Sequence, residues 1–159
     1  MGCEMYKYLI FLFLLISNVV FCQKHIFLGT TEYSKNIILT IDQNKVYRGN
    51  STYSTNIYYT LFDNKVYDAN STYSTNILLT LDNEGHIYKG NSHYSTNIIA
   101  TIKDNRVYRG NSIYYTDLIS YFKSNVMYVV SNNLRLIFDK EVSNIELASV
   151  LYYLSIIQN

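Results

Sequence analysis

Apolar and polar positions recur along most of this chain with a period close to twenty residues. Units begin at Ile26, Val46, Val66, Ile87 and Val107, so the spacings are 20, 20, 21 and 20. A period of this size marks supersecondary units that bury their apolar faces only against one another. Each unit holds an alternating stretch: Ile37/Leu39/Ile41, Ile57/Tyr59/Leu61, Ile77/Leu79/Leu81 and Ile98/Ala100/Ile102. A period of two puts each triplet on one face of a strand, the inner one. Thr40, Thr60, Thr80 and Thr101 hold an outer position, beside Tyr58 in the second unit. There a Thr methyl is expected to pack while its hydroxyl stays in water.

Gln43-Asn44, Asp63-Asn64 and Asp104-Asn105 follow these stretches. Asn and Asp tolerate the positive φ that a two-residue hairpin loop demands. The returning strands are Val46-Tyr47-Arg48, Val66-Tyr67-Asp68 and Val107-Tyr108-Arg109. A two-residue loop sets Leu61 opposite Val66 on the inner face and Thr60 opposite Tyr67 on the other. The one spacing of 21 comes with a longer loop, Asn83-Glu84-Gly85. A three-residue loop ends at a left-handed position that suits Gly, so the extra residue is absorbed and Leu81 still meets Ile87. Otherwise every later side chain would change faces.

Between hairpins run Gly49 to Asn56, Ala69 to Asn76 and Gly90 to Asn97, rich in Gly, Asn and Ser. Tyr33, Tyr53, Tyr73, Tyr94 and Tyr114 recur inside these connections. The ordinary reading makes each Tyr an anchor tucked between neighbouring hairpins. The sharper reading makes the five a set of ligand-binding platforms for sugars, flat apolar faces edged by a hydroxyl.

The fifth unit decays. Tyr114 to Leu118 keeps the frame, then Val126–Val130 and Leu134–Phe138 read as strands around Ser131-Asn132-Asn133. Atypical last repeats suit a position without a neighbour. Ser143 followed by Glu146 is a capping box that opens a helix running to about Ile157. Leu147, Val150, Leu151 and Leu154 share one face, widened by Ala148, Tyr152 and Ile156. That helix is expected to pack on the open end or core of the repeats. The expected organisation is a leader over 1–22, a hairpin-repeat domain over 23–138 and a helical segment over 139–159.

The fold class is all-β, about five hairpin repeats plus one C-terminal α-helix. Hairpins could stack as a solenoid or splay into a closed propeller- or flower-like ring. Ile26-Phe27-Leu28-Gly29 looks like a returning strand whose partner is missing. In a ring it would complete the last petal and remove an exposed edge, which favours a rosette of four to five petals. The unit of apolar strand, Asp-Asn turn and Val-Tyr strand resembles the short hairpin repeats of four-fold β-flower type. It also resembles the aromatic hairpin repeats of choline-binding and clostridial toxin proteins, whose Trp-rich glycan-binding signature it lacks. The β-flower resemblance spans about Ile26 to Val130 and implies no activity.

Composition sharpens this picture. The chain has 159 residues, 48% of them hydrophobic and only 16% charged, which suits one globular domain. It contains 18 Tyr but no Trp and no Pro, a bias toward pleated, half-buried surfaces. A formal charge of +1 supplies no field to recruit nucleic acid.

Lys7 followed by the apolar run Leu9 to Ile16, with Val20 and Cys22 ahead of Gln23, reads as an export signal cleaved near Cys22. From Tyr8 to Cys22 is about 15 residues, short of the roughly 20 a spanning helix needs. Lipid attachment at Cys22 is a weaker alternative, because Phe21 is not small. Met1-Gly2-Cys3 hints at myristoylation, but Tyr6 stands where Ser or Thr is wanted. Cleavage would remove both cysteines and leave a domain held by packing without disulfides.

Chemistry is sparse. His25, His86 and His93 are scattered and form no i, i+4 pair of histidines, so neither a zinc site nor any cofactor is expected. Asp82-Asn83-Glu84-Gly85 offers calcium-like ligand types, but His93 occupies the twelfth position of the loop pattern, and a turn explains the residues better. No nucleophile-elbow pattern supports a catalytic triad, and no catalytic residue is assigned. Asn50-Ser51-Thr52 and Asn70-Ser71-Thr72 are glycosylation sequons. The leading expectation is an exported, non-enzymatic interaction or structural module, with a glycan or cell-envelope polymer as partner. The rivals are a hydrolase on a propeller-like scaffold, using His93 with Asp104 or Asp117, and self-assembly through unpaired sheet edges.

Overall fold

A computed structural model describes residues 23–157, so the leader, the cysteines and the signals drawn from them lie outside the described residues. Strand β1 (Lys24–Leu28) stands alone at the start. Five hairpins follow: β2 (Ile37–Asp42) with β3 (Lys45–Arg48), β4 (Ile57–Phe62) with β5 (Lys65–Asp68), and β6 (Ile77–Leu81) with β7 (His86–Lys89). Then come β8 (Ile98–Lys103) with β9 (Arg106–Arg109) and β10 (Leu118–Lys123) with β11 (Val126–Val129). Strand β12 (Arg135–Phe138) precedes one helix, α1 (Asn144–Tyr153).

Each strand pairs antiparallel with its sequence neighbours, and β12 pairs with β1, so all twelve close into one barrel. The unpartnered Ile26–Leu28 strand thus finds Phe138, Ile137 and Leu136 from the other end of the chain. Closure excludes an open solenoid. It also makes a sixth two-stranded ribbon, one more than the five repeats and beyond the four to five petals expected. The sixth escapes sequence self-comparison because its two strands come from opposite ends of the chain.

Inside the hairpins the predicted register holds. Thr60 faces Tyr67, Leu61 faces Val66 and Leu81 faces Ile87. Asp63 and Asn64 have φ of +50° and +53°, and Asp104 and Asn105 have +50° and +58°, the double left-handed geometry of a type I′ turn. Gly85 at +91° absorbs the extra residue of the third loop.

Between hairpins the pattern departs from simple alternation. A bulge interrupts the pairing at each of five junctions, for example where Val46 pairs with Tyr59 but Tyr47 pairs with Ile57. One extra residue on the longer strand bends it and turns Ile57 out beside Tyr47. Ile38, Tyr58, Leu78 and Ile99 pack against the core in place of Ile37, Ile57, Ile77 and Ile98. Tyr58 is therefore no outer residue. It meets Tyr153 of α1 edge-on, with ring centroids 5.0 Å apart.

The threonines also depart from expectation. Thr40, Thr60, Thr80 and Thr101 are buried, and their hydroxyls donate to the carbonyls of Gly49, Ala69, Gly90 and Gly110 at 2.7–2.8 Å. Those four acceptors are left-handed, with φ of +50° to +64°. Each turns the chain back over the outside of its own hairpin, which removes the Thr hydroxyl from water and gives it a carbonyl. A buried hydroxyl without that partner would be costly, so fold-back and bond come together.

The core fills the barrel. Ile26, Val46, Val66, Ile87, Val107 and Met127 form one fully buried ring of side chains. Each contributes roughly 1.5–3 kcal/mol relative to an exposed side chain. An eight-stranded barrel is about filled by its own side chains, whereas twelve strands enclose more space. Helix α1 occupies it. Residues Glu146 to Leu151 are buried one after another. Six successive residues circle a helix more than once, so α1 is enclosed on every side. The helix is thus a plug within the barrel, not a cap across one end. Ser143 accepts from the Glu146 backbone to complete the capping box, and Glu146 pairs with Lys24 of β1 at 2.8 Å. The helix ends at Tyr153, earlier than expected, with Ser155 left-handed at φ +57°. No helix among the described residues is long and apolar enough to cross a membrane.

Candidate functional site: a girdle of tyrosines and a bulged hairpin

Each of five connections closes on the same short element. A 3-10 turn begins one residue after Tyr33, Tyr53, Tyr73, Tyr94 and Tyr114, each of which caps it with extended backbone. The turn is held by polar groups two residues before and three after the tyrosine. Ser51 Oγ accepts from the Tyr53 backbone N–H at 3.2 Å and from the Asn56 side chain at 2.8 Å. Ser71 serves Tyr73 and Asn76 in the same way, and Ser92 serves Tyr94 and Asn97. In the decayed unit Ser112 accepts from Tyr114 N–H and donates to Asp117. At the first connection Asn36 donates to Thr31.

The rings take no part in these hydrogen bonds, although the Lys35 ammonium lies over the Tyr33 ring at 5.9 Å. Tyr53, Tyr73 and Tyr94 are each 77% exposed, Tyr114 73% and Tyr33 63%. Exposure of that degree rules out an anchor tucked between hairpins; Ser and Asn do that work instead. The five lie one per hairpin around the barrel, on connections that follow strands two apart, or about 10 Å along the wall. The sixth connection, from β11 to β12, is short and carries Asn132 and Asn133 where the others carry Tyr. Beside that gap Tyr121 stacks on Tyr128 at 5.2 Å, and the Arg135 guanidinium lies over Tyr128.

The groups proposed for an enzyme each sit in a different loop. His93 is exposed and packs on Tyr88, with centroids 5.5 Å apart. Asp104 sits in the tight turn between β8 and β9, and Asp117 is engaged by Ser112. Among the described residues every strand is paired on both sides.

The bulged third hairpin gathers ionisable groups that the sequence reading assigned to a turn. One Asp82 oxygen accepts from the backbone N–H groups of Glu84 and His86, both at 2.9 Å. The other meets His86 Nδ1 at 2.8 Å and accepts from the Tyr88 hydroxyl at 2.9 Å. Burial alone would push the Asp82 carboxyl up, but these bonds from His86 and Tyr88, with the His86 charge, bring it down to about 2. Burial, then the bond to Asp82, pushes the Tyr88 phenol up. The Glu84 carboxylate, 3.8 Å from His86 Nδ1, completes a group of three whose ligand atoms all lie within 4.8 Å of one another. The i, i+2, i+4 spacing that signals this cluster is visible in the sequence, but only a bulged turn directs the three side chains to one point.

No curated protein and no solved structure matches the chain. A family profile described as "6-fold beta flower protein" matches residues 24–148, from the first strand into the plug helix. The resemblance to β-flower repeats therefore holds, with six-fold in place of four-fold. Five internal hairpins, a sixth closed by the two chain ends and a profile spanning nearly the whole ring agree: the chain belongs to the 6-fold β-flower protein family.

Proposed function

We propose that this protein is an exported, non-enzymatic module that binds an extended polymer, a glycan of the cell envelope, through Tyr33, Tyr53, Tyr73, Tyr94 and Tyr114. The observation that carries the reading is that five equivalent rings stand in solvent while their loops are held by short polar side chains, Ser with Asn in three of them, Thr31 with Asn36 and Ser112 with Asp117 in the others. A side chain that holds nothing in its own fold is free to serve a partner. Repetition at about 10 Å suits a ligand that itself repeats, because each weak contact raises the effective concentration for the next. The leader pattern of residues 1–22 supports export, and the six-petalled rosette serves as a wheel to display the rings.

Affinity electrophoresis through gels carrying soluble envelope polysaccharides tests this directly. Single Ala replacements at Tyr53, Tyr73 and Tyr94 should each weaken retardation by about 2- to 10-fold, the equivalent of roughly 0.5–1.5 kcal/mol per aromatic contact. Losses should accumulate in the triple variant. A wild type that no polysaccharide retards, or a triple variant retarded as strongly as wild type, overturns the reading.

A further inference from the structure

In the second hairpin junction Lys45 pairs across to Thr60, and its ammonium donates to Thr60 Oγ1 at 2.9 Å and to Asn70 Oδ1 of the folded-back loop at 2.6 Å. His86 occupies the corresponding place two repeats on, paired across to Thr101. The imidazole is shorter than a lysine stem and turns onto Asp82 instead. Thr101 and Asn111, counterparts of Thr60 and Asn70, consequently line a cavity of about 540 Å³ together with Glu84, His86 and Lys103. Where one repeat lays an ammonium between strand and loop, this repeat sets the Glu84 carboxylate and the His86 imidazole at the edge of a cleft, with the Asp82 carboxylate against His86 Nδ1.

We propose that Asp82, Glu84 and His86 bind a divalent transition-metal ion, with Zn²⁺ the best match, and that the cleft beside Thr101 and Asn111 admits its remaining ligand, a water or a small anion. One nitrogen and two carboxylate oxygens suit a borderline cation, whereas Ca²⁺ and Mg²⁺ take oxygen alone. Three protein ligands with a fourth position facing a cavity is the open arrangement of zinc sites that hold water or substrate. The metal replaces the hydrogen bond between His86 Nδ1 and Asp82, whose proton leaves to solvent, with little movement of either side chain. His86 Nδ1 already points at Asp82 at 2.8 Å, and Glu84, 81% exposed at its side chain, needs only a rotamer change to close on them. Outer-shell support is in place, since Tyr88, 7% exposed, donates to Asp82 and fixes its carboxylate. Lys103 on the cavity wall supplies a positive charge for an anionic fourth ligand.

The turn uses Asp82 and His86 structurally, but Glu84 contributes no side-chain hydrogen bond to it, so Glu84 separates a metal site from a mere turn. The test is isothermal titration of Zn²⁺ into the full chain carrying Cys3→Ser and Cys22→Ser, so that thiols contribute nothing. Co²⁺ absorption reports coordination number in parallel. Expected are one Zn²⁺ per chain at micromolar affinity and an intense tetrahedral Co²⁺ band. Glu84→Gln should lower affinity at least 10-fold with unchanged circular dichroism, and His86→Ala should abolish binding. His25→Ala and His93→Ala should bind as the parent does, and Ca²⁺ should give no heat. Absence of Zn²⁺ heat in the parent chain, or Zn²⁺ binding equally tight in Glu84→Gln and His86→Ala, overturns the proposal. Polysaccharide retardation is read in the presence of chelator, so the outcome at the tyrosines is independent of this one.

Discussion

Replacing Thr60 by Val keeps the shape of a fully buried side chain and removes only its hydroxyl. Thr60 is 0% exposed; its Oγ1 donates to the Ala69 carbonyl at 2.8 Å and accepts from Lys45 Nζ at 2.9 Å. In the variant the Ala69 carbonyl loses that donor beneath the folded-back loop, and Lys45 keeps only Asn70. A buried acceptor left without its donor costs about 1–3 kcal/mol, against a gain of a few tenths from the better strand propensity of Val. The net expectation is a loss of about 1–2 kcal/mol. Urea unfolding followed by circular dichroism reads this as a lower midpoint at unchanged slope. Thr60→Ser, which keeps the hydroxyl, should retain the bond and cost mainly its lost methyl. Neighbouring threonines stand two strands, or about 10 Å, apart, so their losses should add. The variant with Val at positions 40, 60, 80 and 101 should then lose roughly 4–8 kcal/mol, most of the stability of an ordinary domain. If Thr60→Val is neutral or stabilising, the hydroxyls are solvated after all and the fold-back of the loops over the strands is wrong.

Ala69 adopts φ +50° where Gly49, Gly90 and Gly110 stand in the other hairpins. A Cβ at those glycines would meet nothing nearer than 3.9 Å, so the left-handed backbone is the whole reason for Gly there. Ala69→Gly should therefore stabilise by roughly 0.5–1 kcal/mol, read as a higher urea midpoint. Gly85→Ala should behave oppositely and more severely: its Cβ would collide with the Ile102 carbonyl oxygen of the next hairpin, and a loss of about 3 kcal/mol or more is expected in the same assay. Asp82, held at about 2 against 3.8 in the unfolded chain, adds stability that is complete above about pH 4 and is lost as pH falls toward 2. Asp82→Asn should flatten the dependence of the urea midpoint across that acid window; an unchanged slope would contradict the assigned bonds.

Much of the local structure was legible along the chain. Leu61 against Val66 and Thr60 against Tyr67 follow from alternation and a two-residue turn, and Gly85 announces how its loop absorbs an extra residue. The Ser143–Glu146 capping box needs only the spacing of its members. These features depend on backbone dihedrals and on neighbours a few residues away, which sequence spacing encodes. The decisive remainder depended on closure. A sixth ribbon exists only once Ile26 meets Phe138 across the whole length of the chain. A ring of twelve strands then encloses more volume than its own side chains fill, so α1 goes inside with every face buried. The fold-back of the loop over Thr60 and the convergence of Asp82, Glu84 and His86 each occur within one hairpin, through left-handed turn geometry that residue spacing alone does not show. The bulges that turn Ile57 outward arise where separate hairpins touch. Their cause is the shared free energy of packing and polar satisfaction between segments distant in sequence, which no periodicity in a single strand records.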